Sequence, residues 1–300
     1  MRIVTRPDFD GIVCAVLISR AERIKGPVNW LEPGDVQNGQ ADIKEGDIMA
    51  NLPYDARCTL WFDHHVSNRP ESEVAGAFKI APSAAGVVYE YYRKQGKLEN
   101  DGSDRLVHWA DIIDAAELTE DHVLYPEKYP YVILSMTVRN RDESDPPYWE
   151  KLVDLLKHRS IEEVMENEEV KTRKETIIRE NRAWESILRE NSVIHDGICV
   201  TDFRHYEDPP SGNRFLAYSI FPETIATIKI RYADPDKDKV LVSIGHSIFN
   251  DKCRVNVGRL LSKYGGGGHK GAGGCTLDTA VADRKIRELL TVMRENRPVD

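Results

Sequence analysis

The chain has 300 residues and a mass of 34.1 kDa, long for one hydrophobic core and comfortable for two. Its net charge of −9 argues against a general binder of long nucleic acid, which sets many Lys and Arg against phosphates, but leaves room for a small anion held by metal ions or a few local donors. Five cysteines, odd in number, scattered and without a C-x-x-C pair, argue against a disulfide framework or thiolate zinc site; with no visible signal peptide or membrane-spanning run, the expected setting is cytoplasmic.

In chain order, residues 3–5 read as a strand, 12–24 as a helix, and 48–50 and 59–62 as strands. Ser83 is placed to cap a helix running through Val87, Val88 and Tyr91, and residues 106–116 form a further helix candidate. From 162 to 191 the chain is charged and helix-prone, as suits a solvated helix joining domains. Beyond Asp196, residues 198–201, 225–232 and 240–244 read as strands, and 255–264 and 281–294 as helices. The alternation predicts an α/β protein: a parallel-sheet domain over 1–160, a helical linker over 161–195, and a smaller mixed-sheet domain over 196–300.

Polar residues follow three of the apolar strands. Arg6-Pro7-Asp8-Phe9-Asp10-Gly11 comes after the first, Asn51 after the second, and Asp63-His64-His65 after the third. Ligands of parallel sheets bind beyond the carboxyl ends of strands, so these segments are candidates for one shared site. Asp8 and Asp10, one residue apart, present two carboxylates to the same space, where they repel unless a proton or a cation intervenes. Mixed oxygen and imidazole donors suit Mn²⁺, Mg²⁺ or Fe²⁺ better than a structural zinc.

An early D-x-D-G followed by Asp63-His64-His65 after an apolar strand resembles the DHH phosphoesterase superfamily. The relatives include single-strand exonucleases, nanoRNases, cyclic dinucleotide phosphodiesterases, pyrophosphatases and exopolyphosphatases. The resemblance implies two Mn²⁺ ions acting on one phosphate. It assigns Asp8, Asp10, Asp63, His64 and Asp111 as metal ligands, with Asp114 as the alternative to Asp111. It gives Asp8 and His65 catalytic roles, and Arg6, set against Asp8 or a substrate phosphate, is read as a third catalytic group. The chain departs from the family twice, with Arg6 where a metal-binding His is usual and Asn51 where a bridging Asp is usual, although Asp47 and Asp55 lie nearby. Arg stays protonated and binds no metal. Losing one divalent ion is offset by the Arg6 charge and by the carboxylate missing at Asn51, so the reading is one ion, Mn²⁺ or Mg²⁺, with two ions as the alternative.

Near the other end, Tyr264 precedes Gly265-Gly266-Gly267-Gly268-His269-Lys270-Gly271-Ala272-Gly273-Gly274. Glycines permit positive φ, and successive amides can form a nest for an anion. The run resembles the C-terminal domain that accompanies DHH domains, which implies substrate contacts from Arg254, Asn256, Gly266, Gly267, Gly268, His269 and Lys270. The resemblance spans residues 2–116 and 198–276. It implies hydrolysis of a phosphomonoester or phosphodiester in a small nucleotide or short oligonucleotide. A catalytically degenerate nucleotide binder and an exopolyphosphatase are the alternatives. The expected partner is a small phosphorylated substrate, with no long duplex nucleic acid and no membrane; a homodimer is allowed.

Overall fold

The computed structural model describes residues 1–99, 102–138, 144–210 and 212–298. The chain divides into two compact units: Met1–Leu118 with Pro126–Ile177, and Thr119–Tyr125 with Ile178–Asp300.

The first unit runs β1 (Arg2–Thr5), α1 (Phe9–Glu22), β2 (Asn29–Trp30), α2 (Pro33–Gln37), β3 (Asp47–Ala50), β4 (Leu60–Asp63), β5 (Gly76–Phe78), α3 (Ala84–Lys94) and α4 (Ser103–Asp114). After α5 (Glu120–Leu124), which belongs to the second unit, come α6 (Pro130–Thr137), α7 (Pro146–His158), α8 (Ile161–Met165) and the start of α9 (Glu168–Asn191). The sheet has order β2-β1-β3-β4-β5 with parallel pairings. Strands covered on both faces must be apolar throughout, and Ile3, Val4, Ile48, Met49, Trp61 and Phe62 are fully buried. Helix α1 is buried from Phe9 to Ser19, so it is a core helix. It begins before the predicted residue 12 because the Asp8 side chain caps it.

Register makes the site. Thr5 pairs with Ala50, and Ala50 with Phe62. The residues that follow these positions, Arg6, Asn51 and Asp63, therefore stand at one level along the sheet. Helices α6 and α7 lie outside the elements expected from the sequence, although Pro130 and Pro146 stand at their first positions and Asp145 caps the second. The charged segment forms the expected helix, but α9 also buries a stripe of Val170, Ile177, Trp184 and Leu188.

The second unit holds the rest of α9, then β6 (Ser192–His195), β7 (Ile198–Asp202), α10 (Leu216–Ile220), β8 (Ala226–Tyr232), β9 (Lys239–His246), α11 (Val257–Ser262), β10 (Gly267–Gly268), β11 (Ala272–Asp278) and α12 (Thr279–Glu295). Its sheet, order β10-β11-β9-β8-β7-β6, is mixed: β7 and β8 run parallel and the other pairs antiparallel. Period-two alternation turns Ala226, Ile228 and Ile230 of β8 and Val240, Val242 and Ile244 of β9 into a core shared with Leu260, Leu261, Leu289 and Met293. Among the described residues, no helix is long and apolar enough to cross a membrane.

Candidate metal centre

The centre is built from backbone groups first. Asp10, in the first turn of α1, is buried and points both oxygens at the start of α3: Oδ2 accepts from Ala84 N at 2.9 Å and Oδ1 from Ala85 N at 2.8 Å. His64 follows β4, and its Nδ1 lies 2.9 Å from the carbonyl oxygen of Ala81. A carbonyl only accepts, so Nδ1 carries the proton and Nε2 the lone pair in the neutral ring. That Nε2 is buried without a hydrogen-bond partner. It faces Asp114 Oδ2 at 3.3 Å and Asp10 Oδ2 at 3.9 Å, and the donor atoms of the three residues lie within 4.8 Å of one another. Three acceptors facing one another repel, and a divalent cation among them removes the repulsion. The residues present therefore fit a metal.

Asp63 is fully buried and its oxygens already accept hydrogen bonds. Oδ1 takes His64 N at 2.8 Å and His65 Nδ1 at 2.9 Å, and Oδ2 takes Asn68 Nδ2 at 2.6 Å. Asp63, His64 and His65 also lie at mutual ligand distance. The hydrogen bond that His65 Nδ1 donates to Asp63 raises the His65 imidazole above its usual range, and 39% of the His65 side chain is exposed.

Asp8 accepts through Oδ1 from Gly11 N at 2.8 Å and Asn51 Nδ2 at 2.9 Å, while Oδ2 faces Arg6 Nε at 3.3 Å. The same Arg6 atom lies 3.6 Å from Glu32 Oε2. Asn51 adopts the left-handed region, φ 56°, which Asn tolerates better than most residues. The nearby acids are engaged elsewhere: Asp47 opens β3 and pairs with Arg2 at 2.7 Å, and Asp55 pairs with Arg57 at 2.6 Å. Of the two α4 candidates, Asp114 reaches the centre. Asp111 instead accepts from Ser83 Oγ at 2.5 Å.

The glycine run forms a hairpin, Gly267 opposite Gly274 and Gly268 opposite Gly273. Its turn docks on α11, where Val257 N and Gly258 N donate to the carbonyls of Lys270 and His269, each at 2.9 Å. The Asn256 side chain caps that helix by accepting from Arg259 N at 3.1 Å, and Arg254 N donates to Asn296 Oδ1 at 2.7 Å. A Cβ on Gly258 would stand 2.4 Å from the Gly268 carbonyl oxygen, so close approach of backbones requires glycine here. The carbonyls of His269 and Lys270 thus satisfy the first amides of α11. His269 and Lys270 are exposed.

Burial pushes the Asp8 carboxyl up to about 6, with Asp114 and Glu32 adding to the rise and Arg6 opposing it. Burial raises Asp10 well above the carboxylate range, with Asp114 and Asp8 contributing. A carboxyl raised in the folded state holds a proton there that the unfolded chain has released. Metal-free protein therefore gains stability as pH falls through about 6, and the gain is complete below the unfolded value near 3.8. A cation must displace that proton. Calorimetric titration should show Mn²⁺ affinity falling about tenfold or more between about pH 7.5 and about pH 5.5, while the melting temperature of the metal-free protein rises. An affinity flat across that range would remove these carboxyls from the ligand set.

The fold of the whole chain matches a pGpG-specific phosphodiesterase, PggH, from Vibrio cholerae, with a TM-score of 0.86 and 32% identity over 99% of each chain. RecJ from Thermus thermophilus, in complex with Mn²⁺, aligns at TM-score 0.54 and 13% identity, covering 99% of this chain and 53% of RecJ. An exopolyphosphatase-related protein from Bacteroides fragilis aligns at TM-score 0.51 and 11% identity, covering 98% of this chain and 93% of that one. These last two likenesses speak to the fold alone. No family model and no curated protein matches the chain.

Proposed function

Since the chain belongs to the DHH-superfamily phosphoesterases, we propose that it is a divalent-cation-dependent phosphodiesterase acting on a linear dinucleotide or short oligonucleotide, with pGpG the first substrate to test. The observation that carries the reading is the buried, unpartnered His64 Nε2 set against Asp10 and Asp114. Mn²⁺ suits this mixed imidazole and carboxylate set, with Mg²⁺ as the alternative. A cation held there supplies a Lewis acid for a phosphate oxygen and lowers the pKa of an attacking water.

One ion suffices in this reading. Asp8 already takes two hydrogen bonds and the Arg6 guanidinium, so Arg6 occupies the place of a second positive charge. Arg6 then offers its remaining donors to a non-bridging phosphate oxygen. His65, oriented by Asp63, presents Nε2 and its proton to the phosphate or the leaving oxygen. Asp63 acts through His65, which donates to its Oδ1. Arg254, Asn256, His269, Lys270 and the glycine hairpin are the second unit's own proposed substrate contacts.

The test is hydrolysis by Mn²⁺- and Mg²⁺-loaded protein of a panel containing pGpG, short oligonucleotides, adenosine bisphosphate, pyrophosphate and polyphosphate, with metal content measured on the same samples. The expected result is cleavage of pGpG or a short oligonucleotide with one ion per chain. Binding of pGpG without turnover by any metal-loaded sample would mark the chain as a degenerate nucleotide binder, a reading the Arg6–Asp8 pair favours. Two tightly held ions would refute the role given to Arg6.

A further inference from the structure

Asp10 and Asp114 come from different helices, yet both are mounted on the first turn of α3. Asp10 is held by the amides of Ala84 and Ala85. Asp114 is tied to the same turn through Asp111, three residues earlier and therefore on the same face of α4. Ser83, the fully buried cap of α3, accepts from Gly86 N at 2.9 Å and donates through Oγ to Asp111 Oδ1. The helices approach so closely here that a Cβ on Gly86 would stand 2.9 Å from Asp111 Oδ1. One helix terminus thus fixes one carboxylate directly and the other at one remove.

We infer that Ser83 and Asp111 are positioning residues, which set the spacing of Asp10 and Asp114 across the cation and so its affinity, without touching it. The inference rests on the metal reading above. Small divalent ions hold oxygen ligands within a few tenths of an ångström of about 2.1 Å, so a slide of α4 that is harmless to packing is costly to the centre. Groups that orient metal ligands typically contribute about 10–100-fold in metal affinity. Asp111, at the expected ligand position, contributes in this second way.

The test is Mn²⁺ titration of the full chain carrying Ser83→Ala, Asp111→Ala, Asp111→Asn or the Ser83→Ala/Asp111→Ala pair, together with the Mn²⁺ dependence of pGpG hydrolysis. Ser83→Ala and Asp111→Ala should each weaken Mn²⁺ binding about 10–100-fold, while turnover at saturating Mn²⁺ stays within about threefold of the parent. The pair should be no worse than the stronger single change, because the two residues act as one unit. Asp111→Asn keeps an acceptor for Ser83 Oγ and should recover most of the affinity. Unchanged affinity in Asp111→Ala would overturn the inference. So would Asp111→Asn proving as damaging as Asp111→Ala with turnover lost at any Mn²⁺ concentration, which would make Asp111 a ligand. Should Ser83→Ala fail to fold, the two Asp111 variants decide alone. Asp114→Asn run in parallel separates the two levels: if it binds Mn²⁺ like the parent, the metal reading itself has failed.

Discussion

Asp10→Asn is expected to abolish tight Mn²⁺ binding and to lower pGpG hydrolysis by at least about 10³-fold. A metal ion polarising a phosphate contributes several kcal/mol to the transition state, and each 1.36 kcal/mol is about tenfold in rate. The substitution removes one of the two carboxylates facing His64 Nε2. It also leaves one of the α3 amides without its acceptor, because an amide side chain has one oxygen where Asp10 uses two. That loss costs about 1–3 kcal/mol of stability, so thermal denaturation must accompany the assay. Asp114→Asn provides the cleaner comparison, since Asp114 ends α4 with 30% of its side chain exposed. Both variants should lose the ion, and only Asp10→Asn should lose appreciable stability. Retention of parental Mn²⁺ affinity by both would dispose of the centre described here.

Gly11→Ala should be among the most damaging single methyls in the first unit. A Cβ at this position would stand 1.9 Å from the Arg6 carbonyl oxygen and 2.9 Å from Thr5 Oγ1. Neither neighbour is a flexible side-chain tip, so the turn through Arg6, Pro7 and Asp8 must move by roughly 1 Å or more to restore an ordinary contact. Overpacking of this kind costs about 3 kcal/mol, or roughly 6–12 °C in melting temperature for a domain of this size. The same movement carries Arg6 and Asp8 out of place, and a misplacement of about 1 Å near the reacting atoms costs about 10²-fold in rate. Gly26→Ala, where nothing lies within 4 Å, is the matched control and should leave both quantities unchanged. A Gly11→Ala protein that melts and turns over like the parent would mean the turn is far more pliable than this contact allows.

Much of the fold and of the centre is legible in the order of residues. Apolar runs ending in Arg6, Asn51 and Asp63 mark parallel strands whose carboxyl ends gather polar groups, because a strand buried on both faces can turn chemistry outward only where it stops. The alternating residues of β8 and β9 signal the second sheet in the same way. Other features leave little trace. Strands β2 and β5 are too short for a periodic signal. Strand β11 begins inside a glycine run that reads as a loop, since glycines admitted for close packing look the same as glycines admitted for flexibility.

The choice between Asp111 and Asp114 shows where sequence reading stops. Three residues apart, both lie on one face of α4, and their chemistry is identical. Ser83, distant in sequence, takes Asp111 as its acceptor and leaves Asp114 to His64. Likewise, His64 is aimed by the carbonyl of Ala81 and Asp10 by the amides of Ala84 and Ala85, backbone groups of a kind that nearly every residue carries. Amino-acid order alone determined the two-domain α/β class, the strands that end at the candidate centre and the chemical kind of its candidate ligands, because these follow from burial pattern and side-chain chemistry. Tertiary structure alone decided which carboxylate meets the imidazole, because that depends on backbone hydrogen bonds and on helix spacings of a few ångströms.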